Sequence, residues 1–202
     1  PNNPTGTYNN LDEFRALLDA LPEHVVVAVD EAYYEYVTAI DYPQTLELLP
    51  DHPRLVVLRT FSKIHSLAGL RVGYGVGHPD LIGEVQKTRE PFNVNLIAQA
   101  AARTCLREWH EVAGRRDRNR SELERMSRGF RELGLEVVPS QTNFILVRCA
   151  GDATQLTQDL LKLGVIVRPM NGWGLDGRAL RISVGLPAEN TRCLEALKEI
   201  LA

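Results

Sequence analysis

The 202 residues are 44% hydrophobic and 24% charged, which is enough apolar material to bury a core in one large domain or two small ones. A net charge of -3 and a pI near 6.0 give no broad attraction to nucleic acid or to an anionic membrane, so small-molecule chemistry is the expected role. No apolar run approaches the roughly 20 residues of a membrane-spanning helix, and no signal peptide is legible at the start.

The sequence opens on Pro1-Asn2-Asn3-Pro4-Thr5-Gly6, a turn-rich stretch without an initiating Met, and is read as a fragment lacking its upstream half. Leu11, Phe14, Leu17, Leu18 and Leu21 then recur at helical spacing behind Asn9 or Asn10 as cap. Val25 to Val29 is a continuous apolar run ending in Asp30-Glu31, the pattern of a strand buried on both faces. A second such run, Leu55 to Leu58, leads into Arg59-Thr60-Phe61-Ser62-Lys63, and the glycine-thinned stretch from Val72 to Gly77 is a third expected strand. Polar residues at the ends of such strands point to an α/β domain with its ligand beyond the carboxyl ends.

From Asn95 to about Leu133 the composition predicts a pair of long helices with a bend or boundary near Gly114. Short strands are expected at 135–138, 144–147, 165–167 and 180–184, with helices near 153–163 and 189–201, making a smaller α+β unit. The boundary is placed at 116, giving domains of residues 1–116 and 117–202.

The polar groups near the strand ends suit one kind of ligand. Pyridoxal phosphate needs an amine for its aldehyde, a carboxylate for its pyridine nitrogen, donors for its phenolic oxygen, and hydroxyls with a guanidinium for its phosphate. Lys63, Asp30, Asn3 with Tyr33, and Thr60, Ser62 and Arg71 supply these types. The glycines at 69, 73, 75 and 77 lack the GxGxxG spacing of a dinucleotide fold. Cys105, Cys149 and Cys193 form no CxxC pair, so a reducing cytoplasm is the expected setting and neither disulfides nor zinc are indicated. His24, His52, His65, His78 and His110 have no ligand spacing either; they read as satisfied or exposed histidines, and no metal is expected.

The stretches PNNPTG at 1–6, VDEAYYEY at 29–36, RTFSKIHSLAGLRVGYG at 59–75 and VRPMNGWGLDGRALRISVG at 167–185 resemble the fold type I aminotransferases, and among them the histidinol-phosphate aminotransferases. The resemblance implies the C-terminal part of the pyridoxal-phosphate-dependent transferase fold, with part of the large α/β domain followed by the small α+β domain. It implies that Lys63 is the Schiff-base lysine that also moves the substrate proton. Asp30 would sit beneath the pyridine nitrogen, Tyr33 and Asn3 on the phenolic oxygen, and Thr60, Ser62 and Arg71 on the phosphate. Tyr34 and Tyr36 remain alternatives to Tyr33 within the same stretch.

Arg181 matches the arginine that clamps the anionic end of the substrate, and Arg168 resembles a second guanidinium for substrate phosphate. Asn93 and Asn143 match family positions without an assigned step. The implied reaction is transamination of L-histidinol phosphate with 2-oxoglutarate to imidazole acetol phosphate and L-glutamate, in histidine biosynthesis, by a cytoplasmic homodimer. Alternatives on the same residues are an aromatic aminotransferase, a phosphothreonine decarboxylase, a β-lyase, or a catalytically inactive fragment.

Overall fold

The computed structural model describes residues 1–201. Its mixed α/β chain separates into two compact units, one holding Pro1 and Tyr8–Arg116, the other holding Asn2–Thr7 and Asp117–Ala202.

In the first unit, helix α1 (Leu11–Ala20) starts at Asn10 through a reciprocal capping box with Glu13. Strands β1 (Val27–Asp30), β2 (Leu55–Thr60) and β3 (Gly73–Gly77) form one sheet in that order. β1 and β2 run parallel, with Asp30 opposite Leu58, and β3 returns antiparallel, with Gly73 opposite Thr60. The carboxyl ends of β1 and β2 and the start of β3 therefore share one edge of the sheet. Helix α2 (Thr45–Leu48) lies between β1 and β2 in the chain, and α3 (Pro79–Lys87) and α4 (Leu96–Arg107) follow β3.

Phe14 and Leu48 pack with Leu55 and Val57 of the sheet, joined by the partly buried Val27 and Val29. This covers one face of β1 only. Within this chain Val26, Ala28 and Asp30 are exposed while Val27 and Val29 are partly buried, so burial alternates along β1. An unbroken apolar run records hydrophobicity, and cannot record which face a helix covers. A second cluster, Phe61 and Val72 with Ala98 and Ala102 of α4, seats the loop after β2.

Helix α5 (Trp109–Glu132) begins in the first unit and ends in the second. The helix pair is present, but the boundary expected near Gly114 falls at Glu108, the C-cap of α4, and Gly114 lies inside α5. A glycine inside a helix costs only about 1 kcal/mol, and neighbouring packing overrides it. Here the buried Val112, two residues before it, anchors that turn of the helix.

The second unit is an antiparallel sheet ordered β4 (Glu136–Val137), β5 (Phe144–Arg148), β7 (Ala179–Ser183), β6 (Arg168–Pro169). Helices α6 (Ala153–Lys162) and α7 (Pro187–Leu201) and the end of α5 cover one face through Ile145, Val147, Leu180 and Ile182. The strand expected at 165–167 is displaced to Arg168–Pro169. Gly164, at φ 77°, ends α6, and the Val165 amide donates back to the Leu160 carbonyl at 2.9 Å. That backbone is spent on closing the helix before any ladder can form. α5 ends the same way, with Gly134 at φ 79° and the Leu135 amide on the Phe130 carbonyl at 3.0 Å.

Candidate active site

The residues singled out from the sequence fall into two groups, one in each unit. Asp30, Tyr33, Thr60, Ser62, Lys63 and Arg71 all follow from the carboxyl edge of the β1–β2–β3 sheet. Asn3, Arg168 and Arg181 belong to the second unit.

Asp30 ends β1 with its carboxylate exposed, and Oδ1 accepts from the Ala32 amide at 3.0 Å. The chain then turns through a short 3-10 segment, Tyr34–Tyr36, which buries Tyr33. Lys63 Nζ stands 5.2 Å from the centroid of the Tyr33 ring, within cation–π range. The other tyrosines of the stretch are differently engaged. Tyr34 donates to Gln44 Oε1 at 2.6 Å and lies 3.6 Å beneath the Arg59 guanidinium, while burial pushes the Tyr36 phenol up to about 12. Tyr33 is thus the tyrosine beside the lysine.

On the neighbouring strand end, Thr60 Oγ1 accepts from the Ser62 amide at 3.1 Å, which closes a small turn just before Lys63. Arg71 is held in the left-handed region at φ 53°, and its guanidinium donates to the Ala68 carbonyl at 2.9 Å. Arg71 is exposed.

Beneath this edge lies a polar cluster that no spacing argument had found. Glu31 is fully buried and takes Arg59 Nε and Nη2 at 2.9 Å each, the Thr45 hydroxyl at 2.7 Å and the Tyr42 hydroxyl at 3.4 Å. These bonds pin the end of β1 to the end of β2. The signal in the sequence was the carboxylate directly after Asp30, whose partners become visible only once β1 and β2 are paired. His65 also departs from expectation. It is 6% exposed, so it is not a surface histidine, and Nδ1 finds no hydrogen-bond partner among the described residues. Nε2 lies 4.0 Å from Glu35 Oε1, and the ring packs on Phe61. Burial raises the Glu35 carboxyl above its ordinary range and lowers the His65 imidazole below its own, with Arg115 adding to the latter.

In the second unit, Arg168 and Arg181 are direct cross-strand partners and so share one face of the sheet, the face opposite the helices. Arg181 Nη1 donates to Asn3 Oδ1 at 2.7 Å, and the guanidinium lies 5.1 Å from the Phe144 ring centroid. Arg181 Nε is buried without a partner among the described residues. The turn bearing Asn3 is closed by the Gly6 amide on the Asn2 carbonyl at 2.8 Å, and the Gln141 amide donates to the Gly6 carbonyl at 2.9 Å. Gly6 is required there twice over: its φ is 78°, and a Cβ would clash with Ser140. The Asn143 carbonyl accepts from the Val184 amide at 2.8 Å, which places it at the β5–β7 edge of the second unit. Among the described residues no cluster of three His, Cys, Asp or Glu side chains could hold a metal ion, and no helix is long and apolar enough to cross a membrane.

The family model described as aminotransferase class I and II matches residues 1–197. Histidinol-phosphate aminotransferase of Geobacillus thermodenitrificans is 49% identical over 201 residues, which cover all of this chain and 55% of that protein. Histidinol-phosphate aminotransferase 1 of Nitrosococcus oceani is 46% identical over 201 residues, again all of this chain and 54% of that protein. The crystal structure of histidinol-phosphate aminotransferase from Sinorhizobium meliloti in complex with pyridoxal-5'-phosphate superposes with a TM-score of 0.91 at 31% identity, covering 100% of this chain and 55% of that one. The chain thus spans about half the length of the curated relatives it matches.

Proposed function

Since the chain belongs to the aminotransferase class I and II family, we propose that it serves pyridoxal-phosphate-dependent transamination of L-histidinol phosphate with 2-oxoglutarate, giving imidazole acetol phosphate and L-glutamate in histidine biosynthesis. The observation that carries the proposal is the Lys63 amine beside the buried Tyr33 ring, on a sheet edge that also bears a carboxylate, hydroxyls and an arginine. Their chemical types match the separate parts of the cofactor. Identities of 45–49% to histidinol-phosphate aminotransferases favour this substrate over an aromatic amino acid, phosphothreonine or a β-lyase reaction.

When bound, pyridoxal phosphate supplies an electron sink for negative charge at the substrate Cα. Lys63 would hold the cofactor by its amine and would move the proton at the substrate Cα. Asp30 keeps the pyridine nitrogen protonated, and Tyr33 and Asn3 donate to the phenolic oxygen. Thr60, Ser62 and Arg71 hold the phosphate, two neutral hydroxyls and one planar cation against a dianion. Arg168 and Arg181 grip the anionic end of the substrate, phosphate in one half-reaction and carboxylate in the other. Residues 1–116 form the cofactor-binding part of the large domain and residues 117–202 the small domain. The working protein is a cytoplasmic homodimer, an assignment that rests on the family resemblance.

The test is to add pyridoxal phosphate to the chain and follow the visible absorbance of the lysine-bound cofactor, expected in the wild type and lost in Lys63→Ala. Glutamate formation from 2-oxoglutarate is then measured with histidinol phosphate, phenylalanine or aspartate as donor. Turnover of phenylalanine or aspartate with none of histidinol phosphate would overturn the substrate assignment.

A further inference from the structure

Lys63 lies past the end of β2, where no strand ladder holds the backbone. The segment is organised as a turn. The Ser66 amide donates to the Lys63 carbonyl at 2.9 Å, and the Leu67 amide donates to the Phe61 carbonyl at 2.9 Å. Two features of this turn need something from outside it. The Ile64 carbonyl belongs to a residue only 1% exposed and has no backbone donor within the turn; a buried carbonyl left alone is costly. Ser66 is held at φ 61°, a left-handed conformation that a non-glycine residue keeps only where its surroundings impose it.

One side chain answers both. Arg115 Nη1, from α5, donates to the Ile64 carbonyl at 2.8 Å and to Ser66 Oγ at 3.2 Å. The Lys63 turn is therefore clipped at its second and fourth residues by a single guanidinium. His65, between them, packs inward on Phe61 and toward Glu35, the next turn along from Tyr33. Arg115 lies outside every sequence stretch that carried the family resemblance.

We propose that Arg115 is a positioning residue for Lys63, fixing the turn that aims the lysine amine beside Tyr33. It acts on the backbone of the turn and touches neither cofactor nor substrate. The inference rests on the proposed role of Lys63. A lysine that must reach two atoms in succession needs its backbone held to within about half an ångström, and a turn tethered at one end only does not hold it so.

The test begins without cofactor. Amide hydrogen exchange is compared in the wild type, Arg115→Lys and Arg115→Met over peptides spanning 61–70. Loss of a charged donor predicts exchange at Ser66 and Leu67 faster by about tenfold in Arg115→Met, with Arg115→Lys between the two, and no change in peptides from β1 or α1. Should Arg115→Met not fold, Arg115→Gln takes its place in the same comparison. The second readout is the pH at which the visible absorbance of the bound cofactor titrates: it shifts in Arg115→Met and moves back toward wild type in Arg115→Lys. A folded Arg115→Met chain whose 61–70 exchange or cofactor titration matches the wild type overturns the inference. A Lys63→Ala chain that keeps the wild-type cofactor absorbance overturns the aminotransferase reading instead.

Discussion

Lys63 and Tyr33 sit on different loops, yet the lysine Nζ comes to 5.2 Å from the centre of the tyrosine ring because their strands, β2 and β1, are parallel neighbours. Parallel pairing sends both loops from the same edge. A phenol and an amine brought together in this way can act on adjoining atoms of one ligand.

On the role proposed for Tyr33, Tyr33→Phe removes a donor from the phenolic oxygen of the cofactor while leaving the ring in place. The cofactor is expected to remain bound, with its visible absorbance titrating at a pH higher by up to about one unit, since the anionic form of that oxygen loses support. An absorbance titration of both proteins reads this directly. An unmoved midpoint would give the role to another tyrosine.

Arg59→Met leaves Glu31 as a buried carboxylate without its cation. Removing one partner of a buried pair costs about 3–5 kcal/mol. Urea unfolding followed by circular dichroism measures the loss. A loss under 1 kcal/mol would mean that the Thr45 and Tyr42 hydroxyls hold Glu31 sufficiently by themselves.

His65 is a buried imidazole whose proton affinity is lowered, first by burial and then by Arg115. Below its ordinary value near 6.5 the unfolded chain binds a proton that the folded chain refuses, so stability falls as pH drops through that range. Glu35 acts with the opposite sign: its raised carboxyl gives up stability as pH rises from its ordinary value. His65→Phe should therefore flatten the decline in the urea midpoint between about pH 7.5 and 5.5. An identical slope in wild type and variant would show that His65 protonates in place.

Arg168→Leu removes one of two cross-strand cations. Hydrogen bonds to charged groups imply a KM for histidinol phosphate raised by about 10- to 100-fold, with a much smaller change for histidinol, which lacks the phosphate. Initial rates on the two donors supply the ratio. A ratio equal to that of the wild type would leave Arg168 a role at the rim of the sheet only.

Gly6→Ala forces a left-handed φ on a residue with a Cβ and drives that carbon into Ser140. A loss of order 1–3 kcal/mol is expected in urea unfolding. No loss would require the turn to have moved off the Gln141 amide, which hydrogen exchange at Gln141 would reveal.

Much of this was legible from residue order alone. Asn10 caps α1, the apolar runs became β1, β2 and β5, and the polar residues after Val29 and Leu58 do lie along one sheet edge. What was illegible depends on partners distant in sequence. Glu31 needed Arg59, 28 residues away, and the Ile64 carbonyl needed Arg115, 51 residues away. Gly114 misled because a helix can absorb one glycine, and Val165 because the closure of α6 consumed its amide before a strand could. The pairing of Arg168 with Arg181 is a matter of register, and no periodicity states the register between two strands.

That register also separates two kinds of freedom in the second unit. The facing of Arg168 and Arg181 is set by the β6–β7 ladder, where Pro169 stands opposite Leu180. The connection between those strands contains Gly172, Gly174 and Gly177, all at positive φ, with Trp173 exposed at its tip. Insertions and deletions in this connection can accumulate over evolutionary time without turning either arginine to the other side of the sheet. The rim around the two cations can thus diverge while the cations keep their places.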